Sequence, residues 1–90
     1  MHFYIQPFGN EAFMNNTEFR GINMLGVNSN DVYFAARSAI ECQEKCQNNS
    51  NCKGYSYYTP GQRCYLFTSG NFVHRPDYIS GRKIEKVNSS

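Results

Sequence analysis

Apolar and polar positions alternate in distinct ways along the chain, and the sharpest pattern lies in its middle. Ser38-Ala39-Ile40-Glu41 has the spacing of a capping box, in which the Ser hydroxyl meets the third amide of a helix and the Glu carboxylate reaches back. It predicts a helix from Ser38 to about Asn48, where Asn48-Asn49-Ser50-Asn51 offers side chains that compete for backbone hydrogen bonds. Cys42 and Cys46 stand at i and i+4 of that helix, so both thiols project from one face, which must look at the rest of the domain. Two runs rich in aromatic and β-compatible residues follow, Lys53 to Thr59 and Arg63 to Thr68. Pro60-Gly61-Gln62 between them has the chemistry of a turn, and the whole predicts a β-hairpin. Period-2 alternation in its second arm sets Cys64 and Leu66 on one face and Arg63, Tyr65 and Phe67 on the other.

Weaker patterns flank this centre. Ile22 to Val27 is a strand candidate between Gly21 and the polar Asn28-Ser29-Asn30-Asp31, and Phe3 to Phe8 is a fainter one broken by Pro7. Lys83 to Val87 alternates apolar and charged residues with Ile84 and Val87 imperfectly in phase, and Asn88-Ser89-Ser90 reads as a frayed tail. Residues 28 to 36 and 68 to 78 read as loops. Tyr33, Phe34, Phe72 and His74 lie in them, and large aromatics in loops either fold back on the core or meet a partner. No internal repeat or low-complexity tract is present.

Length and cysteine content narrow the class. Ninety residues make one domain, 1–90, whose core alone gives marginal stability, so covalent help is expected. Four cysteines lie between residues 42 and 64, which reads as two disulfides in an oxidising compartment, with three pairings open on paper. A zinc site needs tighter paired ligands than C-x3-C, x5, C, x11, C, and His2 and His74 lie far from them, so neither metal nor other cofactor is expected. A net charge of +2 is too small to drive nucleic-acid binding in bulk. No stretch approaches the ~20 apolar residues that span a bilayer. The opening residues lack the basic start and long apolar run of a signal peptide, so the secreted reading implies one module of a longer extracellular chain.

The order Ser38-Ala-Ile-Glu-Cys42-x3-Cys46-x5-Cys52-Lys-Gly-Tyr-Ser-Tyr, then Cys64-Tyr-Leu, then Ile79-Ser-Gly-Arg-Lys83, resembles the PAN/apple superfamily over about residues 17 to 84. The resemblance implies an α+β fold, a curved antiparallel sheet of about five strands cradling a single helix, with Cys42 bonded to Cys64 and Cys46 to Cys52. The first bond would pin the helix to the hairpin's second arm, and the second would clip the helix end to its first arm. On the loop-entropy model they contribute about 3 and about 2 kcal/mol. Many apple domains join their termini by a third bond, and this chain lacks those cysteines. The resemblance also implies adhesion. Apple modules bind proteins or carbohydrates in clotting zymogens, plasminogen-like proteins, nematode and leech secreted proteins and invasion adhesins of apicomplexan parasites.

The residues themselves carry no nucleophile motif and no hydrolytic carboxylate pair, since Glu41 and Glu44 read as helix-end charges, so an enzyme is not expected. Tyr55 and Tyr57 share a parity that reads as core, whereas Tyr58, Tyr65 and Phe67 point the opposite way and are candidates to stack on a ligand. Arg63 beside them is a candidate fork for hydroxyls or carboxylates. Arg82, Lys83 and Lys86, with Arg75 and Lys53, form a basic cluster that reads either as a solvated face or as a site for anionic glycans. Sequons occur at Asn15, Asn48 and Asn88. The expected partner is thus an extracellular protein, with a glycan as the alternative and a ligand-free spacer as the second alternative. Neither nucleic acid nor membrane insertion is expected.

Overall fold

The computed structural model describes residues 13–24 and 32–84. Its elements in chain order are β1 (Met14–Asn23), β2 (Phe34–Ala35), α1 (Ala39–Gln47), β3 (Gly54–Tyr58) and β4 (Arg63–Arg82). The class is the α+β architecture expected, and the described residues form four strands in one sheet and one helix.

Among the described residues the strands number four where about five are expected, and the geometry of β4 bears on the difference. β4 is 20 residues long and pairs with β3 twice, through Arg63–Phe67 on one side and through residues 78 to 82 on the other. Partner numbers fall along β4 as they rise along β3, Tyr55 facing both Leu66 and Gly81, so both arms run opposite to β3. One bent strand therefore does the work of two. β1 runs antiparallel along the outside of the bend from Asn23 opposite Phe67 to Met14 opposite Ser80, and the two-residue β2 pairs at Cys64 and Arg63.

Three sequence assignments change. The upstream strand begins at Met14 and ends at Asn23, so of the predicted Ile22–Val27 strand only Ile22 and Asn23 are in β1; Leu25 to Val27 and Phe3 to Phe8 lie outside the described residues. Residues 68 to 78 are strand, not loop, because Ser69 to His74 pair with β1 and Tyr78 pairs with β3. The candidate strand Lys83–Val87 is not one where described: β4 stops at Arg82, and Glu85 to Val87 lie outside the described residues.

α1 starts as its box predicts. Ser38 is extended (φ −157°, ψ 162°) and its hydroxyl accepts the Glu41 amide at 3.1 Å. The Glu41 carboxylate reaches one residue further back than expected and accepts the Arg37 amide at 2.7 Å. That bond holds the Glu41 carboxyl below its ordinary pKa. The helix ends where Asn49 Oδ1 accepts the Asn51 amide at 2.9 Å, a side-chain turn that outcompetes another helical bond. Ala39, Cys42, Gln43 and Cys46 form the buried face, at i, i+3, i+4 and i+7.

The sheet has a core on each face. Between it and α1 lie Ala36, Ala39, Cys42, Cys46, Cys52, Tyr55, Tyr57, Cys64 and Leu66. Here Cys42 bonds Cys64 and Cys46 bonds Cys52, each with Cα atoms 5.3 Å apart. On the opposite face Phe19, Tyr65, Phe67 and Tyr78 close a second cluster, with Tyr58 and Phe72 against it. Phe19 enters this cluster because β3 leaves it room: a Cβ at Gly54 would come within 2.6 Å of its ring. Ser56 fixes the crossing, its hydroxyl accepting the Phe19 amide at 2.6 Å and donating to the Phe19 carbonyl at 3.0 Å.

Candidate functional site

The short edge strand β2 carries two large aromatics left in the open, Tyr33 just before it (43% exposed) and Phe34 within it (46% exposed). Consecutive residues of extended chain point to opposite faces, and these two do. Tyr33 leans toward the outer face, its ring 5.8 Å from that of Tyr65, whereas Phe34 lies on the helix side with Leu66.

Each is capped by a cation. The Arg63 guanidinium sits 4.6 Å over the Tyr33 ring and the Lys45 ammonium 6.0 Å over the Phe34 ring. Arg63 also donates to the Tyr65 hydroxyl, which with the neighbouring Tyr33 raises its already high pKa. Among the described residues neither cation stands within ion-pair distance of a carboxylate, whereas Arg20 and Arg75 share the buried Glu18 at 3.4 and 3.2 Å and Arg37 meets Glu41 at 3.7 Å. The edge thus offers two aromatic surfaces and two positive charges that, among the described residues, make no ion pair of their own. Phe34 and Lys45 also wall a shallow groove of about 280 Å³ with Asn48, Asn49 and Leu66.

The sequence candidates are redistributed by the fold. Of the candidates to stack on a ligand, Tyr65 (4% exposed) and Phe67 (8% exposed) are core residues, a correction to their candidacy because neither ring has an open face. The cause is the bend of β4: it carries Tyr78 round onto the face these rings occupy, and Phe19 of β1 closes it. Tyr58 is half-buried, its ring 5.0 Å from Tyr78, and Arg63 keeps a half-exposed place beside it. Tyr55 and Tyr57 are buried beneath α1, the Tyr57 hydroxyl donating to the Ala36 carbonyl at 2.8 Å.

Arg82 is exposed and stacks over Phe72 and Phe19, at 5.1 and 5.7 Å. Lys83 is tied by its ammonium to the Asn49 carbonyl at 2.6 Å, and its amide bonds the Lys53 carbonyl, which brings Lys53 beside this pair. Arg75 is instead held by Glu18 and stacks on Tyr78 at 5.1 Å. Lys86 and Asn88 lie outside the described residues. Asn48 caps α1 and is exposed; Asn15 is exposed in β1 rather than in a loop. His74 is exposed and Phe72 packs on Phe19 at 4.9 Å. Lys45 has no signal in the sequence, because nothing in one dimension sets a helix-end lysine above an edge-strand phenylalanine.

These features define a class: a small α+β domain stapled by two disulfides, with an open aromatic and cationic edge. A family model for the PAN domain matches residues 13–87. The chain belongs to the PAN domain family. The solution structure of a PAN module from Eimeria tenella shares the fold, with a TM-score of 0.57, 19% identity, and 88% of this chain and 86% of that one covered. PAN domains are protein- or carbohydrate-binding modules of larger proteins and not typically enzymes. Two disulfides in such a module fit an oxidising extracellular environment, and no helix among the described residues is long and apolar enough to cross a membrane.

Proposed function

We infer that this PAN domain is an adhesive module that recognises a protein through the β2 edge, with Tyr33 and Phe34 as anchors and Arg63 and Lys45 as the charges that choose an acidic partner surface. The observation that carries this reading is the pair of exposed rings on opposite faces of one chain edge, each under a cation that forms no ion pair among the described residues. Exposed rings at a sheet edge form an open surface, whereas small ligands favour enclosed clefts. Aromatic and arginine side chains are also the types that dominate protein interfaces.

A carbohydrate reading rests on a separate observation, the groove in which Phe34 supplies an apolar wall and Lys45, Asn48 and Asn49 supply polar groups. The two readings separate experimentally. The oxidised chain is applied to immobilised extracellular-matrix and cell-surface proteins and to neutral, sialylated and sulfated glycans. The protein reading expects a protein hit that survives removal of that protein's glycans and weakens at least tenfold, about 1.4 kcal/mol, in Tyr33→Ala and in Arg63→Ala. A selective glycan hit that needs Phe34 and Asn49 and ignores Tyr33 overturns it in favour of the sugar.

A further inference from the structure

Asn15 begins the sequon Asn15-Asn16-Thr17, and its position in the fold gives that sequon a seat. β1 breaks step there: Asn15 pairs with Ile79 while Thr17 pairs with His74, and Asn16 takes a left-handed conformation (φ 53°). Met14, Asn15 and Asn16 are all exposed at this step. The Thr17 hydroxyl donates to the Asn15 carbonyl at 2.8 Å, holding the two sequon residues together.

Two adjoining grooves meet at Asn15 and Ile79. One, of about 390 Å³, is walled by Phe13, Ser38, Ala39 and Ile40; the other, of about 360 Å³, by Asn16, Thr59, Asp77 and Tyr78. Phe13 is partly buried, two residues before Asn15 and edge-on to Tyr55 at 6.4 Å. The first groove therefore has an apolar floor of Phe13, Ile40 and Ile79 and a hydroxyl rim at Ser38. A pyranose ring is built the same way, with C–H groups on its faces and hydroxyls on its edge.

We propose that Asn15 carries an N-linked glycan whose first N-acetylglucosamine lies in this groove against Phe13 and Ile79, closing the gap between β1 and the start of α1. This claim goes beyond the adhesive reading and does not depend on it. The donor is a lipid-linked diphosphate oligosaccharide of the secretory pathway, the route by which disulfide-bonded extracellular domains travel. The Asn15 amide nitrogen bonds to C1 of the sugar and loses one proton as the C1–O bond to the diphosphate breaks, and the lipid diphosphate leaves. Burying apolar ring faces then stabilises the folded chain, because the unfolded chain offers the sugar no groove.

The test uses the full chain with Asn48→Gln and Asn88→Gln, secreted from eukaryotic cells and trimmed enzymatically to one N-acetylglucosamine. Its melting is compared with the same sequence made without glycan in an oxidising bacterial compartment. Mass spectrometry should find Asn15 occupied, and the single-sugar form should melt about 4 °C or more above the bare one. Phe13→Leu keeps an apolar side chain on Tyr55 but removes the ring, and should abolish most of that difference. An unoccupied Asn15, a glycan without the shift, or a shift unchanged in Phe13→Leu would each overturn the proposal.

Discussion

The two faces of the sheet are held by different means. The helix side is small in apolar volume and covalent: four half-cystines, two alanines and Leu66 surround Tyr55 and Tyr57, and both disulfides cross it. The outer side is aromatic and carries no covalent bond: Phe19, Tyr65, Phe67 and Tyr78 pack with Tyr58 and Phe72, the Phe19 ring lying 5.6 Å from Phe67 and 4.9 Å from Phe72. A short chain cannot build two large cores, and this one staples the side where a single helix supplies little area and fills the other with rings.

Reduction should discriminate the sides most strongly. Opening both bonds with the thiols verified free removes about 5 kcal/mol in urea denaturation, the sum of the two loop terms, and most of the domain's stability with it. Unchanged denaturation would mean that the helix side stands on packing alone. Phe19→Ala, on the side without bonds, should cost about 3–5 kcal/mol, because no neighbour can fill the space of a fully buried ring. A loss under 1 kcal/mol would show that the outer face is not a core. Ser56→Ala should cost about 2 kcal/mol, leaving both main-chain groups of Phe19 without the hydroxyl that joins β1 to β3.

The smallest effect is a pH dependence on the helix side. Burial pushes the Tyr55 hydroxyl from its ordinary 10.0 up to about 12, and the Gln43 amide bonded to it at 3.3 Å offsets this only in part. The unfolded chain therefore loses this proton first. Stability is constant below pH 10, falls as pH rises between 10 and 12, and has dropped by about 1.4 kcal/mol at pH 11. Tyr55→Phe should flatten that part of the profile; an unaltered slope would assign it to other groups.

Much of the helix side was legible in the sequence, because its signals are local. The capping box, the asparagines that end α1, and the Pro60-Gly61 turn each act over a few residues, and the cysteine order resembled a known family. The outer side was not. β1 reads Met-Asn-Asn-Thr-Glu-Phe, with no alternation of apolar residues, because its pairing rests on backbone bonds to β4 and on one buried ring. The second half of β4 looked like loop because it holds Gly70, Pro76 and Asp77. Gly70 faces Gly21 where the strands approach so closely that a Cβ on Gly21 would collide with the Ser69 carbonyl. Pro76 and Asp77 (φ 73°) fall in the stretch that β1 skips between His74 and Ile79, where a proline costs no ladder bond. Alternation alone therefore leaves Tyr65 and Phe67 open to a ligand, and it cannot decide whether Tyr33 and Phe34 fold back on the core or stay exposed, which depends on how β2 sits at an edge.

The most direct test pairs two double variants of the oxidised chain, Tyr33→Ala/Phe34→Ala and Tyr65→Ala/Phe67→Ala, in thermal denaturation and in binding to the protein partner found in the screen. The edge variant should melt within about 4 °C of the parent and lose binding, whereas the outer-face variant should fail to fold at room temperature. A folded Tyr65→Ala/Phe67→Ala domain that loses binding, beside an edge variant that binds as the parent does, would contradict the assignment of the outer face to the core and of the β2 edge to the partner.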